Sequence, residues 1–252
     1  MSGPDGAAPR TLVVVPVYDE EPTIRRLLDE VLAAAPEVDV LVVDDASPDG
    51  TGDVVAARPE PAVHLLRRAG KDGLGAAYRA GFAWALAHGY DVVVQMDADL
   101  SHPPARLPAL LAAVADGADL AIGSRYAPGG GTSGWSRRRE VLSRTGNAYV
   151  RRVLGLRVHD ATAGYRAFRA PLLERVDALG TRSNGYCLQV ETTLRAVRAG
   201  ARVEEVPIVF VERVAGRSKM DVGIVVETLA RVTGWGLRDR LARRRAALPR
   251  SS

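Results

Sequence analysis

The feature of this sequence that most constrains its fold is a repeated alternation of apolar, strand-length runs with helix-like segments. The apolar runs, rich in Val, Leu and Ile, cover residues 11–17, 38–44, 62–66, 90–97 and 119–124. Segments whose apolar residues recur at helical spacing lie between them, at residues 24–32, 50–57, 74–88 and 107–115. Strands buried on both faces read as continuous apolar runs, and their alternation with helices predicts an α/β fold with a mostly parallel sheet.

The second half of the chain is less regular. We expect a glycine-rich loop at 128–134 that can move, then helices at 139–154, 172–179 and 189–199, two strand segments within 201–213, and an amphipathic C-terminal helix from residue 222. The 252 residues are 47% hydrophobic and 25% charged, which supports a buried core and excludes a disordered chain. The predicted organisation is a disordered N-terminus (1–10), one domain (11–221) and an amphipathic basic tail (222–252).

Charge is distributed unevenly along the chain. From residue 231 onward there are seven arginines and one acid, Asp239, a net charge of +6, whereas the preceding residues carry −2 of the total of +4. No basic stripe with interleaved aromatics occurs before the tail, so nucleic acid is not an expected partner. A basic amphipathic tail is typical of a membrane-surface contact. The alternative is a helix packed on the domain, with a disordered basic end.

Cysteine content and hydropathy bear on location. Cys187 is the only cysteine, so no internal disulfide can form, which suits a reducing compartment. The N-terminal residues lack the apolar segment of a secretory signal, and no run of about 18 apolar residues predicts a transmembrane helix. These features favour a cytoplasmic location.

Acidic residues follow three predicted strands, at the sheet edge where α/β proteins bind ligands. Asp97 and Asp99 alternate along extended backbone, so their side chains point to one side with their Cα atoms about 6–7 Å apart. Two such carboxylates can share a Mg²⁺ ion, which prefers oxygen ligands and phosphates. The alternative is a solvated turn. Asp45 can accept hydrogen bonds from a ribose or base, whereas Asp49 suits the turn before the next helix.

Cations cluster at two places in the second half of the chain. Residues 212–219 carry three cations around a glycine, among them Arg213 and Lys219, while Arg125 follows the fifth predicted strand and residues 137–139 are all arginine. Together these could form a phosphate-binding ring, because Arg offers forked donors and Lys a point charge. The alternative is a solvated surface. Lys219 is one of only two lysines, which hints that lysine is needed there.

Eight segments occur in a fixed order between about residue 11 and residue 236: VVVPVYDEEPTI, LVVDDASPDGTGDV, KDGLGAAYRAGF, MDADLSHPP, AIGSRYAPGG, DATAGYRAFR, GYCLQVE and EVPIVFVERVAGRSKM. Together they resemble the polyprenol-phosphate (dolichol-phosphate) mannosyltransferases of the inverting glycosyltransferase family 2, and the actinobacterial polyprenol-monophosphomannose synthases most strongly. The resemblance implies a GT-A fold, a Rossmann-like, mostly parallel mixed sheet flanked by helices. One departure is PVYDE, where the family usually reads P-T-Y-N-E.

The resemblance also implies roles for matching positions. The guanosine would be held by Pro16, Tyr18, Glu20, Val43 and Asp45. The sugar diphosphate and its Mg²⁺ or Mn²⁺ would contact Asp97, Ala98 and Asp99, with Ser101 as the third metal contact where some relatives have Gln. The nucleotide diphosphate would be gripped by Arg213 and Lys219, and the lipid phosphate by Arg125 and Arg139. The site wall would include His102, Asp160, Arg166, Gln189 and Glu191.

The implied reaction is transfer of mannose from GDP-mannose to a polyprenyl monophosphate, giving polyprenyl-phosphate-mannose and GDP. The acceptor phosphate is mostly ionised at pH 7, since its second pKa is about 6, so it needs no general base. Arginines and a metal ion can bring the two anionic substrates together and stabilise the GDP leaving group. Asp97, Asp99, Arg125 and Arg139 are therefore the predicted catalytic set, with no carboxylate acting as an essential proton acceptor.

Other functions remain open from the residues alone. A polyprenyl-phosphate glucosyltransferase would share most of the N-terminal motifs. A phosphatase of the D-x-D type would use Asp97 as nucleophile, although that class places its nucleophile after the first strand. A non-catalytic nucleotide-sugar-binding module is the third alternative. Because the implied acceptor is a membrane lipid, we expect a peripheral protein on the inner face of the cell membrane, attached by its basic tail or by a separate membrane-anchoring protein.

Overall fold

The structure, a computed structural model, describes residues 9–181, 183, 185–212 and 222–247. Its strands are β1 (Thr11–Val17), β2 (Asp39–Asp44), β3 (Val63–Arg67), β4 (Val92–Gln95), β5 (Leu120–Ser124), β6 (Gly131–Ser133), β7 (Arg166–Arg169), β8 (Val203–Pro207) and β9 (Val209–Val211). Its helices are α1 (Glu21–Ala34), α2 (Thr51–Ala56), α3 (Leu74–Ala87), α4 (Leu107–Ala115), α5 (Arg137–Leu154), α6 (Ala170–Arg175), α7 (Gly185–Arg198) and α8 (Val222–Ala247).

Seven strands form one sheet in the order β3-β2-β1-β4-β7-β5-β8. Every neighbouring pair is parallel except those of β7, which runs antiparallel to both β4 and β5. The predicted mostly parallel α/β sheet is confirmed, and each of the five predicted apolar runs overlaps a strand. The carboxyl ends of β1, β2, β4 and β5 therefore meet at one edge of the sheet.

Strand β7 was not predicted, because its four residues, Arg166–Arg169, include two arginines. Residues 128–134 were predicted to be a mobile loop, and this is wrong for Gly131–Ser133, which form β6 and pair in parallel with β9. Gly130 precedes β6 for a steric reason. A Cβ there would lie 2.5 Å from the Ser124 carbonyl oxygen. The glycine thus permits a close approach of two backbones.

Both faces of the sheet are buried, as its apolar strands require. Along β1, Val13 and Val15 pack in a cluster with α1 and α4, whereas Leu12 and Val14 pack in a second cluster with α3. Helix α3 comes especially close, because a Cβ on Gly81 would lie only 2.3 Å from Val14 Cγ1. The site at the carboxyl edge is therefore built on a rigid, two-sided core.

A third apolar cluster joins α5, α7 and α8, with Val150, Val190 and Val232 as buried members. Helix α8 is also held to α7 by an ion pair between Arg198 and Asp239 at 2.5 Å. The predicted C-terminal helix is thus present, and residues 228–239 lie against the domain. Of the helices in the described part of the chain, none is long and apolar enough to cross a membrane.

The structure describes only part of each end of the chain. Residues 1–8 of the predicted disordered N-terminus lie outside the described part. Arg10 is anchored, because its backbone N–H donates to Asp91 Oδ2 at 2.8 Å and its guanidinium lies over the Tyr90 ring. The last residues of the basic tail, 248–252, are likewise outside the described part.

Candidate active site

A cavity of about 370 Å³ opens at the carboxyl edge of the sheet. Nine of the predicted site residues line it: Pro16, Tyr18, Glu20, Asp45, Asp97, Ala98, Asp99, Arg125 and Arg139. They come from five separate stretches of the chain, so the fold brings together what the sequence separates. Acids line one part of this cavity and arginines another, which suits binding of anionic groups through a cation on the acidic side.

The loops that carry the acids are held in an unusual backbone conformation. Asp19, Ala46 and Leu100 have φ values of 58°, 59° and 60°. Each of these residues follows a different strand, namely β1, β2 and β4. The left-handed region costs a non-glycine residue roughly 1 kcal/mol or more, and such strain concentrates at functional sites. The three acid-bearing loops after β1, β2 and β4 share this feature.

Asp97 presents its carboxylate to the cavity with a fixed orientation. The Tyr78 hydroxyl donates to Asp97 Oδ1 at 3.0 Å, while the side chain of Asp97 keeps 37% of its surface exposed. Burial and the neighbouring carboxylates raise the pKa of Tyr78 well above its ordinary value, so its hydroxyl stays a donor. One oxygen of Asp97 is thus held by the protein, and the side chain still faces the cavity.

His102 fixes the backbone of the same loop. The backbone N–H of Asp97 donates to Nδ1 of His102 at 3.0 Å, so the ring proton is assigned to Nε2, which lies 3.8 Å from Asp97 Oδ2. The imidazole is buried and stacks on Tyr165 with ring centroids 5.2 Å apart. Gly164 leaves room for it, because a Cβ there would lie 3.2 Å from His102 Cε1. His102 therefore positions Asp97.

Asp99 and Ser101 supply the remaining oxygens of this loop. The Ser101 backbone N–H donates to Asp99 Oδ1 at 3.1 Å. The Ser101 hydroxyl is buried and has no hydrogen-bond partner among the described residues. Two carboxylates beside an unsatisfied hydroxyl are hard oxygen donors, so the residues fit Mg²⁺ or Mn²⁺. Within the described chain no three His, Cys, Asp or Glu side chains form a metal cluster. Mg²⁺ commonly binds one or two carboxylates and keeps water molecules in its shell.

The β1–β2 end of the cavity is organised by two cations. Arg68 donates to Asp45 Oδ1 at 2.5 Å and to Asp72 Oδ2 at 3.1 Å. Burial raises the pKa of Asp45 above its ordinary value, and the charge of Arg68 offsets this only in part. The Lys71 ammonium sits 3.5 Å from the centroid of the Tyr18 ring. An aromatic ring (Tyr18), a cation (Lys71) and a carboxylate (Asp45) therefore all line this end of the cavity.

Arg125 is locked in place by a buried carboxylate. Its Nε and one terminal nitrogen donate to the two oxygens of Asp160, both at 2.7 Å, and Thr162 Oγ1 accepts from the same terminal nitrogen at 2.8 Å. Burial raises the pKa of Asp160, but the charge of Arg125 and its hydrogen bonds outweigh burial and hold it below the ordinary value. Arg125 thus places a rigidly held guanidinium, paired with an ionised carboxylate, in the cavity wall.

Aromatic rings surround the arginines. The Arg125 guanidinium lies 5.3–5.7 Å from the ring centroids of Tyr126, Trp135 and Phe210, and Arg139 lies 4.1 Å from that of Trp135. Arg139 also forms an ion pair with Glu212. Apolar ring faces beside guanidinium groups suit a ligand whose charged end adjoins an apolar chain.

Arg166 supports the wall from behind. It is fully buried and donates to the carbonyl oxygens of Ala161, Ala163 and Gln189, which ties the loop before β7 to α7. Burial lowers the pKa of Arg166 to about 9. Gln189, in contrast, reaches the cavity: it is buried, lines the wall, and its Oε1 has no hydrogen-bond partner in the described part of the structure. It can accept a hydrogen bond from a bound hydroxyl.

Some predicted residues do not reach the cavity. Val43 is fully buried in the core on the α3 side, so the predicted contact with a nucleoside is not supported and Val43 instead backs the wall. Ser101 is buried beside Asp99 without lining the cavity. Of the predicted wall residues, His102 and Gln189 line it, whereas Asp160, Arg166 and Glu191 do not. Arg213 and Lys219 lie outside the described residues.

Some residues that line the cavity were not predicted from the sequence. Lys71, Trp135 and Phe210 were not assigned to the site, although all three face it. A signal was available for each. Lys71 is one of only two lysines, and the chain has only three Trp and three Phe. The rarity of Lys, Trp and Phe in this chain distinguished these three residues, but nothing in their spacing indicated that they share a site.

Comparison with solved structures places the fold. Glucosyl-3-phosphoglycerate synthase from Mycobacterium tuberculosis, in complex with phosphoglyceric acid, superposes with a TM-score of 0.67 at 22% identity, over 90% of this chain and 81% of that chain. A complex of that enzyme with Mn²⁺, UDP-glucose and phosphoglyceric acid gives a TM-score of 0.66 at 21% identity, over 90% and 80%. The mixed sheet with its acid-bearing edge is that of a GT-A glycosyltransferase.

Sequence comparison identifies the family. The chain belongs to glycosyl transferase family 2, whose model matches residues 12–177. It is 50% identical over 242 residues to the polyprenol monophosphomannose synthase of Mycolicibacterium smegmatis, covering 95% of this chain and 91% of that protein. It is 52% identical over 241 residues to the undecaprenyl-phosphate mannosyltransferase of Micrococcus luteus, covering 95% and 99%. The phosphatase and binding-module alternatives are set aside, and the chain is a glycosyltransferase.

Proposed function

We propose that this enzyme transfers mannose from GDP-mannose to the phosphate of a polyprenyl monophosphate, with inversion at the sugar, and releases GDP. The observation that carries the proposal is the full-length identity of 50–52% to two enzymes named for polyprenol-phosphate mannosyl transfer. The cavity supports it, because two carboxylates, Asp97 and Asp99, and two arginines, Arg125 and Arg139, line the one cavity in which both anionic substrates would bind.

The donor is proposed to bind across the acidic part of the cavity. Asp97 and Asp99 would hold Mg²⁺ or Mn²⁺, which when bound would neutralise the charge that builds on the diphosphate leaving group. Ser101, the predicted third contact, could join them only if its buried hydroxyl turned toward the cavity. Tyr78 holds Asp97 Oδ1 at 3.0 Å, and His102 orients the same loop, so both limit reorganisation of that carboxylate. The predicted Ala98 lies between the two acids on the wall.

The guanosine is proposed to occupy the β1–β2 end. Tyr18, Asp45 and Lys71 stand together there, and Pro16 and Glu20 line the same stretch. Asp45 shares one oxygen with Arg68 and can accept from a ribose or base with the other. Arg213 and Lys219, proposed to grip the nucleotide diphosphate, belong to a segment that the structure does not describe.

The acceptor phosphate is proposed to lie between Arg125 and Arg139. Asp160 holds Arg125 rigidly, so this guanidinium contributes positioning at little cost in reorganisation. Arg139 is paired with Glu212, and the proposal requires it to exchange this partner for the phosphate as the acceptor arrives. Because a phosphate monoester is mostly ionised at pH 7, its oxygen attacks without a general base. None of the cavity carboxylates is therefore assigned as a proton acceptor.

Two substrate comparisons test the proposal. Purified enzyme is incubated with radiolabelled GDP-mannose or UDP-glucose on polyprenyl phosphate, and with GDP-mannose on the corresponding polyprenol. We expect label in the lipid only with GDP-mannose on the phosphate, and loss of transfer after EDTA treatment with recovery on adding Mg²⁺ or Mn²⁺. Transfer from UDP-glucose alone would establish the glucosyltransferase alternative, and transfer to polyprenol would require a general base.

Because the acceptor is a membrane lipid, we place the enzyme peripherally on the cytoplasmic face of the cell membrane. The basic tail and a separate membrane-anchoring protein are the two attachments considered from the sequence. Cell fractionation followed by a high-salt wash tests this location. A peripheral enzyme held by charge should sediment with membranes and be released by salt.

A further inference from the structure

We propose that the first turns of α5 dock on an anionic lipid surface and thereby bring the cavity to its acceptor. The docking surface consists of Arg137, Arg138, Val141, Leu142 and Thr145, which together line a shallow depression on the outside of the helix. The inference rests on the proposed function for its purpose, because it names the surface that delivers a lipid-borne phosphate. Vesicle binding itself can be measured without any turnover.

Helical geometry gives α5 two opposite faces. At about 100° per residue, the five residues of the docking surface span roughly 140° of the helix circumference. The buried residues Asn147, Val150 and Leu154 fall on the opposite side, where Val150 and Leu154 pack with α7 and α8 and Asn147 donates to Thr162 Oγ1. The docking surface therefore faces away from the domain, as expected for a helix that lies with one face on a membrane surface.

The composition of the docking surface is unusual for a solvated helix face. Val141 and Leu142 are 62% and 52% exposed, and Val141 is the most exposed large apolar side chain among the described residues. Arg137 and Arg138, both exposed, form no ion pair with any residue that the structure describes. Adjacent apolar side chains flanked by unpaired cations match an interface with acyl chains beneath anionic headgroups.

Position along the helix connects this surface to the cavity. Arg139, within the same turn of α5, lines the cavity wall. The docking surface and the proposed acceptor site therefore include neighbouring residues of one helix turn. Charge complementarity and this continuity favour a lipid surface over an uncharged protein partner.

The basic end of α8 is less well placed for this task. Helices α5 and α8 run in the same direction, since Tyr149 Oη bonds Thr233 Oγ1 at 2.7 Å and Gly236 lies against Val153. At about 1.5 Å per residue, Val153 is about 21 Å along α5 from Arg139. The exposed Leu237 and Leu241 of α8 lie beyond that point, far from the cavity mouth.

Vesicle flotation of the full chain tests the proposal. The wild type should float with phosphatidylcholine vesicles that contain phosphatidylglycerol, and much less with phosphatidylcholine alone. The double variant V141S/L142S should weaken this binding by about tenfold, and R137Q/R138Q by about fivefold per arginine. The matched control is L237S/L241S, which alters an equally exposed pair on α8 and should float like the wild type.

The outcomes separate cleanly. The proposal would be overturned if V141S/L142S floats like the wild type, or if only the α8 variant loses flotation. It would also be overturned if the wild type does not bind the vesicles. An unchanged midpoint of thermal unfolding confirms that the exposed substitutions leave the fold intact. In transfer assays, V141S/L142S should keep full activity on a short-chain acceptor in detergent and lose about tenfold on acceptor embedded in vesicles. If the wild type transfers mannose to neither acceptor, the proposed function fails while the flotation result still stands.

Discussion

The substitution Asp160→Asn isolates the buried ion pair on which the arginine side of the cavity depends. Asp160 is fully buried and accepts three hydrogen bonds from Arg125, at 3.0 Å from the backbone and 2.7 Å twice from the side chain. Asn keeps the shape but removes the charge, which leaves Arg125 buried without its counterion. Breaking a buried pair in this way costs about 3–5 kcal/mol. In a chain of this size, that lowers the midpoint of thermal unfolding by roughly 10 °C.

The assay is denaturant unfolding of the variant beside a matched control. Glu30→Gln removes one partner of the exposed Arg26–Glu30 pair, whose atoms are also 2.7 Å apart, and should cost no more than about 0.5 kcal/mol. Asp160→Asn should also lower kcat/KM for the lipid acceptor much more than it changes the dissociation constant of GDP-mannose. A loss below about 1 kcal/mol, or no acceptor effect, would refute the assigned role.

The pH dependence of this difference has a defined sign. Because the folded-state pKa of Asp160 lies below its unfolded value, the stabilisation is fully present above the unfolded pKa and is lost as the pH falls through the folded pKa. The gap between wild type and Asp160→Asn should therefore stay constant from about pH 5 to about pH 8. A gap that changes in this range would show that another group carries the effect.

Three further predictions follow from local geometry. Gly81→Ala places a Cβ 2.3 Å from a β1 side chain and should destabilise by about 1–3 kcal/mol. In contrast, Gly146→Ala in α5 meets nothing within 4 Å and should stabilise by about 0.5–1 kcal/mol; equal effects in denaturant unfolding would contradict this packing. Asp97→Asn should reduce kcat by about a thousandfold and weaken Mn²⁺ binding by calorimetry, whereas normal turnover would remove Asp97 from the site. Lys71→Met should weaken GDP binding by roughly tenfold through loss of the cation over Tyr18; unchanged affinity would place the nucleotide elsewhere.

The parallel part of the sheet could be predicted because its information is local. The run from Thr11 to Val17 is apolar on both faces, as a strand between two helical layers must be, and the observed β1 has the predicted bounds. β7 could not be predicted, since Arg166 is buried only because carbonyl and hydroxyl groups from the 161–163 loop and α7 converge on it. That convergence exists in the folded chain and leaves no periodic pattern in the sequence. β6, with three residues paired to a distant strand, is missed for the same reason.

The residues of the site likewise include some that could be predicted from the sequence and some that could not. Asp97 and Asp99 were identified because strand position and spacing alone place them at the ligand-binding edge, and both line the cavity. Lys71 reaches the same cavity from the loop before α3, and no rule of spacing links it to Tyr18. Val43 is the reverse case. Its place in a family motif implied contact with the guanosine, but the alternation of side chains along β2 directs it into the core.

The central claim is that mannose is transferred with inversion to an ionised phosphate oxygen. The most direct measurement is NMR of the lipid product made from GDP-mannose and polyprenyl phosphate. We expect a mannosyl anomeric carbon coupled to phosphorus, with the anomeric configuration opposite to that of the donor. An anomeric carbon without phosphorus coupling, or one that retains the donor configuration, would contradict it.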